Sequence, residues 1–121
     1  MALAESVYAM TRNFPADERF GLTSQVRRAA VLVASCIAEG NARDSTKEYA
    51  RFLSMASGSL AEVETQVLLA LRVGYAPEPV GIALPGELRS TAKQLQAFKN
   101  SIASRIEANT PFLVPRSPFP N

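Results

Sequence analysis

Hydrophobic positions recur at helical spacing along most of the chain. Between Leu22 and Glu39, the residues Leu22, Val26, Ala29, Ala30, Val33 and Ile37 fall three or four apart, the spacing of one helix face. Val31, Leu32, Ala34, Cys36 and Ala38 fill much of the opposite side, so this helix is apolar nearly all round. A helix of that kind is buried on more than one side. The apolar run Ala29 to Ala38 is ten residues long, whereas a membrane span needs about 20. Arg27, Arg28 and Glu39 also bound it. Its second face is therefore expected to meet protein, either another helix of the same chain or another subunit.

The helix is expected to stop at Gly40, a residue type that accepts the left-handed conformation just past a helix end. Ser45-Thr46-Lys47-Glu48 then reads as a capping box, Ser45 and Glu48 each satisfying a free backbone N–H. From there Tyr49, Phe52, Leu53, Ala56, Leu60, Val63, Val67, Ala70 and Leu71 hold one face of a long helix. A second stripe on it is small: Ala50, Ser54, Ser57, Gly58, Ala61 and Thr65. Small residues in a row let another helix approach closely. Glycine inside a helix costs about 1 kcal/mol relative to alanine, so Gly58, with Ser54, Ser57 and Ala61, is assigned to close helix packing or oligomer contact.

Residues 2–13 read as a short first helix with Leu3, Val7, Tyr8 and Met10 inward, ended by Pro15. Asp17, Glu18 and Arg19 fall in what reads as a solvated turn. Pro77 and Pro79 follow the long helix, and Val80 to Leu84 reads as a packed loop. A last helix is expected from Pro85 or Gly86 to Glu107, with Leu88, Leu95, Phe98, Ile102 and Ile106 on one face; proline is tolerated in a first turn. The pattern as a whole predicts an all-α fold, an antiparallel up-down four-helix bundle over residues 1–109. Residues 110–121, with Pro111, Pro115, Pro118 and Pro120, form a proline-rich tail that reads as extended, its Phe112, Leu113, Val114 and Phe119 able to dock on a neighbour.

Composition narrows the chemistry more than it names it. At 121 residues the chain suits one domain that gains from oligomerisation. A net charge of +2 is too small to argue for nucleic acid by itself. The single cysteine excludes an internal disulfide and suits a reducing, cytoplasmic setting. No signal peptide and no membrane segment is expected. With no histidine, imidazole bases and His metal ligands are absent. One cysteine cannot make a thiolate zinc site, and Cys36 in its apolar run reads as inert packing. Asp17 and Glu18 read as solvated carboxylates rather than an acid/base pair, because a raised carboxyl pKa needs burial. No catalytic residue, cofactor or metal is assigned, and an enzyme is not expected.

The charged residues of the central hairpin admit two readings. Arg28 and Glu39 lie roughly 16 Å apart along the helix and cannot pair with each other. If the hairpin is antiparallel, Glu39 comes level with Lys47 or Arg51, and Arg28 with Glu62. Arg28, Glu39 and Glu62 then form a partly buried ionic network that fixes register or subunit contact. Alternatively, Arg27, Arg28, Arg43, Lys47 and Arg51 line a surface for the phosphate backbone of RNA or DNA.

The same segments carry a family resemblance: Phe14-Pro15, Gly21-Leu22-Thr23-Ser24-Gln25, Arg28-Ala29-Ala30, Ile37-Ala38-Glu39-Gly40, Arg51-Phe52-Leu53, and Ala56-x-Gly58-Ser59-Leu60-x-Glu62. Over roughly residues 3 to 107 the chain resembles the four-helix-bundle proteins encoded in intervening sequences of bacterial 23S ribosomal RNA genes. It departs where the family usually has proline and asparagine, here Ala34 and Cys36. Losing the proline is expected to straighten the helix. Members resemble the accessory protein of diversity-generating retroelements, a pentamer that binds nucleic acid. The resemblance thus implies a homo-oligomer, a pentamer, with RNA or DNA as a partner; a protein-binding scaffold is the alternative.

Overall fold

The computed structural model describes residues 2–76 and 78–108, with the backbone alone for 78–82. Among these are four helices, α1 (Ala2–Thr11), α2 (Leu22–Asn41), α3 (Thr46–Arg72) and α4 (Glu78–Ala108), one 3₁₀ turn (Ala16–Glu18), and no strand. The helices form a bundle in which α2 packs on α1 and α3, α3 on α4, and α1 on α4. The tail expected over 110–121 lies outside the described residues.

The core is the set of positions that the three-and-four spacing selects. Val7 and Met10 of α1, Val26 of α2, Leu53, Val63 and Val67 of α3 and Leu84 of α4 are its largest fully enclosed side chains. Each contributes about 1.5–3 kcal/mol relative to exposure. Every apolar residue expected on the inner face of α3 is buried or half-buried. On α1, Leu3, Val7 and Met10 turn inward as expected, whereas Tyr8 is exposed beneath the Arg27 guanidinium, 4.5 Å from its ring centre.

Helix ends depart from the sequence expectation in instructive ways. Gly40 does not end α2 in a left-handed conformation; it sits inside the helix, buried, and α2 runs on to Asn41. A Cβ there would lie 2.7 Å from Phe52 Cβ and 2.9 Å from Tyr49 Cδ1. Gly40 therefore lets α2 and the start of α3 approach closely. The left-handed glycine is Gly74, at φ 82°. Tyr75 N–H bonds to Ala70 O at 2.9 Å and Gly74 N–H to Leu71 O at 3.2 Å, the paired bonds of a Schellman end. At the start of α3, Ser45 accepts from Glu48 N–H at 3.2 Å. The Glu48 carboxylate is turned to Arg51 instead of completing the capping box.

α4 is longer than expected. Residues 80–84, read as a loop, belong to the helix, and Leu84 is enclosed in the core. Pro79 falls in the first turn, where its missing N–H costs nothing. Pro85 lies inside the helix, where it forgoes one backbone bond.

The segment between α1 and α2 is more than a solvated turn. Asp17 and Arg19 are exposed, but Glu18 accepts from Leu22 N–H at 3.1 Å and from the Tyr75 hydroxyl at 2.9 Å. A carboxylate at a helix N-terminus satisfies a free donor and complements the helix dipole. Tyr75 also stacks on Phe14, ring centres 5.3 Å apart. One acid thus ties the start of α2 to the segment leaving α3. Its bond to Glu18, and then burial, hold the Tyr75 hydroxyl above its ordinary pKa of 10.0.

Candidate functional site

The five candidate basic residues do not form one surface. Arg27 is half-buried, and its Nε donates to Thr11 Oγ1 at 2.6 Å while Thr11 donates to Val7 O. It straps α2 to the last turn of α1, where a cation is favoured by the helix dipole. Arg43 and Arg51 place their guanidinium carbons 4.8 and 4.9 Å from the centre of the Phe52 ring. Each is also paired, Arg43 with Glu39 at 3.2 Å and Arg51 with Glu48 at 3.0 Å. That pairing pulls the Glu48 carboxyl below its ordinary range, by the Arg51 hydrogen bond first and its charge second. Counting Asp44, the turn sets three carboxylates against Arg43, Lys47 and Arg51. Its local charge is balanced.

Arg28 and Lys47 are exposed and make no ion pair among the described residues. Arg28 lies roughly 20 Å along the axis from the Asn41 end of α2, so the two do not converge. Among the described residues, the ionic network expected from Arg28, Glu39 and Glu62 does not form. All three are exposed, and Glu39 finds Arg43 on its own side of the turn, a short-range (i, i+4) partner that the expected cross-helix pairing overlooked. Exposed pairs of this kind contribute about 0–1 kcal/mol.

Among the described residues, most of the small-residue stripe is left uncovered by the other helices. Ser54, Gly58, Ala61 and Thr65 are exposed, and a Cβ on Gly58 would find nothing within 4 Å. Ser57 accepts from Lys99 Nζ of α4 at 3.2 Å, and the Thr65 hydroxyl donates to Ala61 O of its own helix at 3.0 Å. Apolar side chains are left uncovered too: Val31 and Leu32 on the outer side of α2, Met55, Leu68 and Leu69 on α3, Phe98 on α4. Cys36 is buried, and burial first, then the Glu39 carboxylate, push its thiol pKa up. That suits packing rather than reactivity.

The described residues also border open cavities, two of which bear on the argument. One, of about 460 Å³, lies between α1 and α4 and is bordered by Ser6 and Glu87, which are hydrogen-bonded at 2.7 Å. The other, of about 440 Å³, is lined by Ala34, Ile37, Ala38, Asn41, Tyr49 and Phe98. Among the described residues, no Cys, Asp or Glu cluster is placed to hold a metal, and no helix is long and apolar enough to cross a membrane.

One short helix packed with three longer ones, which leave some apolar side chains exposed, defines a small all-α bundle protein. The sequence matches the family model described as 23S rRNA-intervening sequence protein over residues 1–107, and the chain belongs to that family. No curated protein matches it.

Proposed function

We propose that the protein is a non-enzymatic helical module that works as a homo-oligomer in the cytoplasm. The observation that carries this reading is the outer side of α2, where the apolar Val31 and Leu32 stay 41% and 37% exposed. Exposed apolar residues grouped on one element mark protein contact. The unfilled stripe around Gly58 supplies a second face on which a helix of another copy fits. An up-down, antiparallel course accords with Gly40 lying against Phe52 while Gln66 Nε2 donates to Gln25 Oε1 at 3.4 Å. The resemblance to the accessory protein of diversity-generating retroelements favours five copies. Sedimentation of the parent and of Val31→Glu with Leu32→Glu tests the reading. The parent should sediment as an oligomer and the variant at lower mass with unchanged helicity. Equal masses would refute the role of this face.

Binding of RNA or DNA is the second reading, favoured by the exposed and unpaired Arg28 and Lys47. Five copies would repeat these charges around one assembly, which a single chain of balanced local charge does not do. Titration of labelled RNA and duplex DNA at low and moderate salt tests it, because phosphate contacts weaken steeply as salt rises. Arg28→Glu with Lys47→Glu should weaken binding without unfolding the bundle. Absence of binding at low salt leaves the scaffold reading.

A further inference from the structure

The helices of the bundle are unequal, and the inequality leaves a slot. At 10 residues α1 is roughly 15 Å long, against roughly 30 Å for the 20 residues of α2. α1 lies along the first part of α2, its Thr11 beside Arg27, and along the first part of α4, its Ser6 beside Glu87. Past α1, no helix among the described residues covers the same sides of α2 and α4. That is where the cavity of about 440 Å³ opens, between Ala34, Ile37, Ala38 and Asn41 on one wall and Phe98 on the other, with Tyr49 at one end. Its lining carries no charge, and Phe98 is left 46% exposed in it.

Running from Glu87, beside Ser6, to Phe98, beside Ala34 and Asn41, α4 heads toward the end of the bundle where α2 stops. The chain beyond Ala108 therefore leaves α4 close to the mouth of the slot. That segment, 109–121, has one charged residue, Arg116, and carries Phe112, Leu113 and Val114 in a row. Phe112 is four residues past Ala108, a reach of roughly 13 Å in extended chain, and Val114 reaches roughly 20 Å. The helix itself covers roughly 15 Å between Phe98 and Ala108. An uncharged slot and an almost uncharged, apolar segment thus lie within one another's range. The segment also lies past residue 107, where the family match ends.

We propose that Phe112, Leu113 and Val114 fold back into the slot that α1 leaves open between α2 and α4 of the same chain, standing in for the missing half of the first helix. The occupant is the chain's own segment, and this holds for a monomer as for an oligomer. In this arrangement the aromatic and branched side chains of the segment seat against Phe98, Ile37 and Tyr49.

Cysteine cross-linking in the full chain tests this. In a Cys36→Ala background, Ala38→Cys is combined with Phe112→Cys, and Arg72→Cys with Phe112→Cys serves as the remote control. Mild oxidation should give an internally bridged monomer on a denaturing gel, at least tenfold faster for the first pair than for the control. Equal rates would overturn the proposal. Bridges formed mainly between chains would also overturn it, giving the slot to a neighbouring copy. Hydrogen exchange provides a second reading without cysteines. Phe112→Ser should speed exchange across residues 34–41 several-fold, and unchanged exchange there would contradict the docking.

Discussion

A methyl group added at Gly40 meets Phe52 Cβ at 2.7 Å, and one added at Gly58 meets nothing within 4 Å. The first neighbour is a Cβ fixed to its own backbone, so it cannot swing aside. Gly40→Ala should cost about 1–3 kcal/mol, the range for an overpacked core, read as a lower denaturation midpoint in urea. Gly58→Ala should instead gain up to about 1 kcal/mol of helix propensity. Gly58→Leu separates folding from assembly. A single chain accommodates the leucine in open space, whereas a helix of another copy seated on Ser54, Gly58 and Ala61 does not. The variant should keep its helicity and lose oligomer mass; parent-like mass would refute close packing on this stripe.

At the scale of the element, the corner between the 3₁₀ turn, α2 and the end of α3 rests on a few polar groups. Glu18→Ala removes both the acceptor for Leu22 N–H and that for the Tyr75 hydroxyl. The loss should be about 0.5–2 kcal/mol, as for other helix-cap deletions. Gly74→Ala should cost about 1–2 kcal/mol for a left-handed residue with a Cβ. The Tyr75 hydroxyl titrates above its ordinary 10.0 in the folded chain. A raised pKa means that its contribution is complete below pH 10.0 and is lost as pH rises through the folded value. Tyr75→Phe should therefore lie below the parent in stability at neutral pH and converge with it at strongly alkaline pH. A constant gap across that range would contradict the bond to Glu18.

The inner faces of α2 and α3 were legible in the sequence because burial repeats every three to four residues, a local signal. Gly40 was not, since a glycine near a helix end serves either a left-handed turn or a close approach. Which one holds depends on where α3 crosses. The end of α3 at Gly74 was legible, because Pro77 three residues later marks a helix stop. Residues 80–84 were misread because Pro77, Pro79 and Pro85 frame them like a loop, although a first-turn proline suits a helix start equally well. Glu18 lay four residues ahead of α2 as an acid beside a helix N-terminus, a cue that pointed to capping. Its tie to Tyr75 joins positions 57 apart and had no sequence signal at all.

For the whole molecule, the balance of charge decides between partners. Arg27, Arg43 and Arg51 are spent on Thr11, Glu39 and Glu48 within the chain. Arg28 and Lys47 alone, of the five candidate cations, remain for phosphate, and they lie far apart. The uncovered apolar side chains of α2 and α3 have no such partners among the described residues. Self-association therefore stands as the central claim, and any binding of nucleic acid follows from the repetition that assembly provides. The most direct measurement is the absolute mass of the full chain by light scattering after gel filtration at micromolar concentration. The account predicts a defined multiple of the 13.0 kDa chain, five copies if the resemblance extends to assembly; a mass of one chain would contradict it.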